Sequence, residues 1–273
     1  MPELIEVESY RQLAEEVVGR VVADVHAPDL WYLKGGLTPE ALASALVGGR
    51  VAAARRIGKL LLLDVEGRPT LGLRFGMTGR LLLDGRAALE HLEYGSAREE
   101  PAWDRLRLGF EGGATLVVRD PRRLGGVSLD PDESALGVDA LALDEASLAR
   151  VLGSSTTPLK ARLMDQARVA GLGNLLTDEL LWRAGLAPTR AAGSLGPAER
   201  AALAAEVGCT VRTLMARGGS HTGDLQEQRR PGGVCPRDGT PLVRGVVGGR
   251  TTWWCPQHQV GPPSVDAGGA RPA

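Results

Sequence analysis

The chain begins Met-Pro-Glu, and this order of residue types is a possible start for chemistry. A methionine ahead of a small residue is normally trimmed, which would leave Pro2 as a free secondary amine. An α-amino group titrates near pH ~7.7–8, far below a lysine ammonium, so an appreciable fraction is neutral and nucleophilic near neutrality. Attack of such an amine on an aldehyde-level carbon gives an iminium, the Schiff-base route of covalent catalysis. Glu3 stands beside it, with Glu6 and Glu8 close behind, so groups able to move protons are at hand. The same residues also suit the first turn of a helix, where proline and acids are favoured. Composition alone leaves both roles open.

A second constellation lies near the other end. Cys235 and Asp238 are spaced i, i+3, as are Cys255 and His258, with sixteen residues between the pairs. Two such corners on a hairpin are the geometry of a tetrahedral zinc ribbon, here with a carboxylate and an imidazole completing two thiolates. The metal-free alternative is a hairpin held by Trp253, Trp254 and valines. A third feature is the stretch DQARVAGLGNLLTDELLWRAGLAP. A Gly-rich turn entering a helix presents backbone N–H groups to an anion, and Asn174 can add a side-chain donor, so in a segment of net positive charge phosphate is a candidate ligand; the alternative is a tight turn without one.

These groups need elements to position them. Leu4, Val7, Leu13, Val17 and Val18 follow a helical spacing that Gly19 ends. Then RVVADVHA, GRVAAARRIG, KLLLLDVEG, TLGLRFGM, RLLLDG, RLRLGF and TLVVRD read as short strands punctuated by Gly, Asp or Pro, the pattern of an antiparallel sandwich or barrel. Residues 130–145 form an acidic connector. From about 146 to Arg217 the pattern is helical: Thr157 caps a helix with Pro158 at its first position, and Pro197 opens a long helix stopped by Gly218-Gly219. Residues 235–258 read as a hairpin turning at Gly248-Gly249, followed by a Pro/Gly/Ala-rich tail.

With 273 residues, 43% apolar and 24% charged, the chain has an ordinary globular composition. Its net charge of −1 would ordinarily argue against a nucleic-acid partner, but the average hides a gradient. Residues 1–154 carry 18 basic and 24 acidic side chains, whereas residues 155–260 carry 13 basic and 8 acidic ones. Only Lys34, Lys59 and Lys160 among the 32 basic residues are lysines, which fits places where a flexible point charge is wanted; a genome-wide base bias would give the same ratio. Three cysteines without a secretory segment exclude a disulfide framework, and no apolar stretch reaches membrane length. A soluble, cytoplasmic, monomeric protein is expected.

Six blocks in register over residues 2–259 resemble the bacterial formamidopyrimidine-DNA glycosylase / endonuclease VIII family of base-excision-repair enzymes. MPELIEVE resembles the family's opening MPELPEVE, RRIGKLLLLD its RRGKYLL strand, and FGMTGRL and DPRRLGG its GMSG and DPRRFG loops. The GLGN stretch resembles the helix-two-turn-helix signature, and CPRDGTPL…GGRTTWWCPQHQ the terminal zinc finger. The resemblance implies an α+β fold with four parts. These are a two-sheet β-sandwich with an N-terminal helix over 1–130, a helix-two-turn-helix DNA-binding domain over 131–225, a zinc-finger-like hairpin over 226–262 and a disordered tail over 263–273. It implies excision of oxidised bases from double-stranded DNA carrying a damaged base or abasic site, with AP-lyase strand cleavage by β,δ-elimination.

The same resemblance implies residue roles. Pro2 would attack C1′ and Glu3 would transfer protons at the sugar, with Glu6 a second acid nearer the floor of the site. Lys59, in the hairpin strand, would hold the phosphate flanking the lesion, clamped further by Asn174 and Arg250. Arg74 stands where many members have a backbone-contacting histidine. Met77, Arg122 and Leu124 would fill the hole left by the flipped nucleotide, whose unstacking costs a few kcal/mol. Cys235, Asp238, Cys255 and His258 would hold structural Zn2+.

The chain departs from the pattern at Ile5 for a second proline, at Leu124 for a phenylalanine wedge, and at Asp238 and His258 for two cysteines. The loop GGSHTGDLQEQRRPGGV is shorter than the one that covers an oxidised purine in the formamidopyrimidine branch. A protein that binds distorted nucleic acid without excision is the alternative, and a retained Met1 would mark it.

Overall fold

The computed structural model describes residues 2–261 except Glu90, Tyr94, Ser96, Ala97 and Glu99. Met1 and the tail expected to be disordered lie outside the described residues. The opening apolar spacing folds as helix α1 (Leu4–Glu15). It ends earlier than Gly19, because residues 16–19 continue only as a turn.

The strand-like segments form two antiparallel sheets. Strands β1 (Val22–His26), β2 (Val51–Ile57), β3 (Leu60–Val65), β4 (Leu71–Arg74), β5 (Arg80–Leu83), β6 (Arg86–Ala87), β7 (Asp104–Phe110), β8 (Thr115–Arg119) and β9 (Gly126–Leu129) divide between them. One sheet has the order β1-β7-β8-β5-β6 and the other β2-β3-β4-β9. Alternate residues of both sheets, among them Leu61, Leu63, Leu73, Leu81, Leu108 and Val118, close one apolar core between them, the packing of a sandwich. Helix α2 (Pro39–Leu46) connects β1 and β2, with the Thr38 hydroxyl accepting from Ala41 N at 3.2 Å.

The second half is helical, built from α3 (Glu145–Leu152), α4 (Leu159–Met164), α5 (Asn174–Arg183) and α6 (Pro197–Arg217). Two short parallel strands, β10 (Val138–Asp139) and β11 (Val169–Ala170), interrupt it. Pro158 stands one position outside α4 and serves as its cap, and no side-chain cap bond forms there. The expected Thr157 cap is therefore absent; Thr157 N–H instead donates to Ser155 Oγ at 3.2 Å. The chain ends in a hairpin of β12 (Val243–Val247) and β13 (Arg250–Trp254) turning at Gly248-Gly249.

Helix α1 belongs to both halves. Val7, Tyr10 and Leu13 join the sandwich core, whereas Leu4 and Ile5 are fully buried in the helical core with Leu163, Leu172 and Leu176. Ile5 at the position of the family's proline thus adds apolar contact between the halves, a burial of the size that contributes about 1.5–3 kcal/mol per large aliphatic side chain. Among the described residues no helix is long and apolar enough to cross a membrane.

Candidate active site and nucleic-acid interface

Glu3 precedes α1 and is completely buried. Its Oε1 accepts from Leu175 N at 2.9 Å and its Oε2 from Leu176 N at 3.1 Å. Two of the N–H groups at the α5 N-terminus, those of Leu175 and Leu176, are therefore occupied by an internal carboxylate. The turn feeding them has no room for a larger residue. A Cβ on Gly173 would lie 2.2 Å from Glu3 Cδ, and one on Gly171, at φ +115°, 2.6 Å from Leu4 Cδ1. Gln166 shapes the same turn by accepting from Gly171 N (3.1 Å) and donating to Leu172 O (2.9 Å).

Glu6 accepts from Glu3 N at 2.8 Å and from Ser220 N at 2.7 Å. Both of its carboxylate oxygens thus hold backbone, one fixing the start of α1 and the other the turn after α6. Burial pushes the Glu3 carboxyl above the ordinary carboxylate range; Lys59 opposes this, Glu6 adds to it, and the two α5 N–H groups lower it less. Burial pushes the Lys59 ammonium below its usual value, opposed by Glu3 and Glu6 and reinforced by Arg250.

Lys59 lies in the turn between β2 and β3 and not within a strand, because Gly58 takes φ +57° there. That turn is seated on the helical half. Gly58 N donates to Asp139 Oδ2 at 2.7 Å, and Arg56 pairs with both Asp139 (2.6 Å) and Glu8 (2.9 Å). The acidic connector is thus partly structural. Arg250, at the start of β13, is exposed, and the hairpin turn beside it sits close to α4, where a Cβ on Gly248 would lie 2.8 Å from Ala161 Cβ. Asn174 begins α5, and its Oδ1 is buried without a hydrogen-bond partner.

The ladder of the second sheet carries the remaining residues to the same end. Leu60, next to Lys59, pairs with Arg74, and Arg74 pairs with Gly126. The ends of β3, β4 and β9 therefore line up Lys59, Arg74 with the Met77 turn, and the Arg122–Leu124 loop. The last two segments touch through backbone: a Cβ on Gly76, at φ +58°, would lie 2.4 Å from Leu124 C. Arg122 and Leu124 are exposed, Leu124 by 52%, and Met77 is half-buried. At that exposure Leu124 is not part of either core.

Asp120, which sequence reasoning passed over, holds these loops. Fully buried, it accepts from Thr78 Oγ1 (2.6 Å), Arg122 N (3.2 Å), Leu124 N (2.9 Å) and Gly125 N (3.0 Å). The visible signal was an aspartate opening the DPRR turn, a residue type that bonds backbone two positions on.

In the hairpin, Cys235, Asp238, Cys255 and His258 bring one ligand atom each to within 4.8 Å of one another. Cys235 Sγ lies 3.4 Å from His258 Nδ1, Cys255 Sγ 3.4 Å from Asp238 Oδ2, and His258 Nδ1 3.5 Å from Asp238 Oδ2. Ligand bonds of about 2.0–2.3 Å in a tetrahedron place donor atoms about 3.3–3.8 Å apart, so the four residues fit a metal ion. The surroundings fit too. His258 Nε2 donates to Trp182 O at 2.9 Å, leaving the Nδ1 lone pair toward the cluster, and Trp182 Nε1 and Arg237 N each donate to Cys235 Sγ at 3.4 Å.

Residues 1–127 match the Formamidopyrimidine-DNA glycosylase N-terminal domain and residues 136–225 the Formamidopyrimidine-DNA glycosylase H2TH domain. The chain is 38% identical to the formamidopyrimidine-DNA glycosylase of Cereibacter sphaeroides and 36% identical to that of Paracoccus denitrificans; each alignment covers 95% of this chain and 100% of the relative. Its fold is similar to that of Lactococcus lactis Fpg in complex with DNA containing an abasic site. There the TM-score is 0.78, the identity 26%, and the match covers 94% of this chain and 99% of the other. A Lactococcus lactis variant bound to Fapy-dG-containing DNA matches with the same TM-score and identity.

Proposed function

The chain belongs to the formamidopyrimidine-DNA glycosylase family, and we propose that its activity runs through the secondary amine of Pro2. That activity is excision of oxidised bases from DNA, with AP-lyase cleavage of the strand. Pro2 N attacks C1′ and the bond to the base breaks with its electron pair leaving on the base; the nitrogen sheds its proton, and its lone pair then expels O4′, which takes up a proton as the sugar ring opens to the iminium. Successive β- and δ-elimination then cut the strand on both sides of the sugar.

Glu3 supplies and takes back protons at the sugar. A carboxyl whose burial favours its protonated form can donate to a sugar oxygen near neutrality. Lys59, Asn174 and Arg250 hold the phosphates flanking the lesion. Lys59 and Arg250 interact electrostatically, and the buried Asn174 Oδ1 leaves a polar group to be satisfied at the same α5 terminus that holds Glu3. Arg74 contacts the backbone, while Met77, Arg122 and Leu124 occupy the space vacated by the everted nucleotide. Glu6 serves chiefly to position Glu3. Zinc is the metal assigned to Cys235, Asp238, Cys255 and His258, with two thiolates and an imidazole suiting that ion.

The observation that carries this reading is the Glu3 carboxylate, fully buried beside Pro2 and held by two N–H groups of α5. Borohydride reduction in the presence of abasic duplex should trap the chain covalently, and mass spectrometry should show Met1 removed. Protein that retains Met1 should not trap, and Pro2→Gly should trap at least about tenfold more slowly, ~1.4 kcal/mol of barrier. Trapping and strand cutting unchanged in both proteins would exclude the Pro2 amine.

A further inference from the structure

Of the five tryptophans, four are buried or half-buried, whereas Trp31 is 69% exposed, next to Leu30 at 66%. They do not sit on a loose loop. Asp29, almost wholly buried, accepts from Trp31 N at 3.1 Å and binds the Arg123 guanidinium through both oxygens at 2.6 Å. One carboxylate therefore fixes both the Trp31 turn and the loop carrying Arg122 and Leu124. Arg123 adopts φ +56°, a conformation disfavoured for a residue with a side chain, and the ion pair to Asp29 helps hold it. Beyond the turn, Lys34 N donates to Val127 O and Val127 N to Tyr32 O, both at 2.9 Å, so the segment is laid along β9. Lys34 Nζ bonds Trp31 O at 2.8 Å and lies 5.6 Å from the indole centroid.

We infer that Trp31 is a second DNA-contacting side chain, which packs its indole against a base or sugar of the strand complementary to the lesion. The inference rests on the proposed entry of Arg122 and Leu124 into the duplex. An exposed indole on a turn tied to that loop, with Lys34 beside it, extends the same surface outward. Its flat apolar face and adjacent cation suit a nucleic-acid strand, in which every base offers a π-face and every linkage an anion. Leu124 itself offers no ring for stacking, and Trp31 supplies one close by.

The test compares wild type, Trp31→Ala and Trp31→Phe in the full chain. Affinity for a duplex carrying a stable abasic analogue should fall about tenfold in Trp31→Ala, within the range measured for base–aromatic stacking. Trp31→Phe should restore most of it. Cleavage of an abasic site in a single-stranded oligonucleotide should be the same in all three proteins. Unchanged duplex affinity in Trp31→Ala overturns the inference, and so does an equal loss on single-stranded DNA. A concentration-dependent dimer of wild type that Trp31→Ala abolishes would assign the patch to a second copy instead. If wild type fails to trap on abasic DNA at all, the proposed function fails, which is a separate outcome.

Discussion

Asp120 shows how one buried side chain can hold several of the proposed DNA-contacting ones in place. Its two oxygens serve Thr78 in the Met77 turn and the backbone of Arg122, Leu124 and Gly125. The carboxylate also lies close enough to the Tyr32 hydroxyl to add to the rise that burial imposes on its pKa. Asparagine has nearly the same shape but replaces an acceptor oxygen with an N–H donor that would face other donors. Hydrogen bonds to a charged group contribute about 1.5–3 kcal/mol each. Asp120→Asn should therefore slow excision of a damaged base from duplex at least about tenfold (~1.4 kcal/mol). Cleavage of a preformed abasic site, which needs less help in extracting a base, should change much less. Equal losses in both assays would mean that Asp120 acts on the whole fold and not on the loops. At this scale Pro2 and Glu3 stood out by residue type and Lys59 by the family resemblance, and their roles are those proposed above. Asp120 did not, because its importance lies in which distant N–H groups converge on it, and only the folded chain shows that.

At the scale of elements, the recurring device is a helix or strand end that holds another segment. The N-terminus of α5 holds Glu3, and the β2–β3 turn is held by Asp139 from the connector. A Gly-rich turn before a helix was legible as an anion site, but whether the anion would be internal was not. The deciding fact is contact between residues some 170 positions apart. The expected Thr157 cap did not form, and the cap that did form on the same dipeptide, at Thr38, went unread in the sequence. Thr38-Pro39 opens a helix with a side-chain cap, whereas the same dipeptide at Thr157-Pro158 does not, because Thr157 lies outside the cap position.

The hairpin is the element whose stability depends most on its ligand. Its own core among the described residues is small, Trp182, Leu225, Cys235 and Cys255 with Leu242 packed against them, and two of these are the thiols that would bind metal. Protein purified without chelator should carry about one equivalent of zinc per chain, and structural zinc contributes to folding directly. Stripping the metal should expose the indole of Trp182, shift its fluorescence to the red and weaken duplex affinity through Arg250. A metal-free protein with unchanged fluorescence and affinity would show that the cluster holds the hairpin by hydrogen bonds alone.

For the whole molecule, a net charge of −1 describes the DNA-facing surface poorly, because the two signs are not equally free. Many carboxylates of the acidic half are neutralised locally: Asp29 by Arg123, Asp64 and Glu133 by Arg55, Asp139 and Glu8 by Arg56. Among the described residues, Lys59, Arg74, Arg122 and Arg250 form no salt bridge, though Glu3 and Glu6 act electrostatically on Lys59, and the sheet ends and hairpin carry them to where the proposed DNA contacts lie. Affinity for DNA then depends on counterions released at those few contacts and not on total charge. With a slope of about −0.9 per phosphate neutralised, the three cations placed on the backbone, Lys59, Arg74 and Arg250, give log K against log salt a slope of about −3. Removing one contact by Arg250→Ala should make that slope shallower by about 0.9 while weakening binding to damaged and undamaged duplex alike, since a phosphate contact carries no base information. A wild-type slope steeper than about −8 would require a basic track roughly three times as long as these three cations provide.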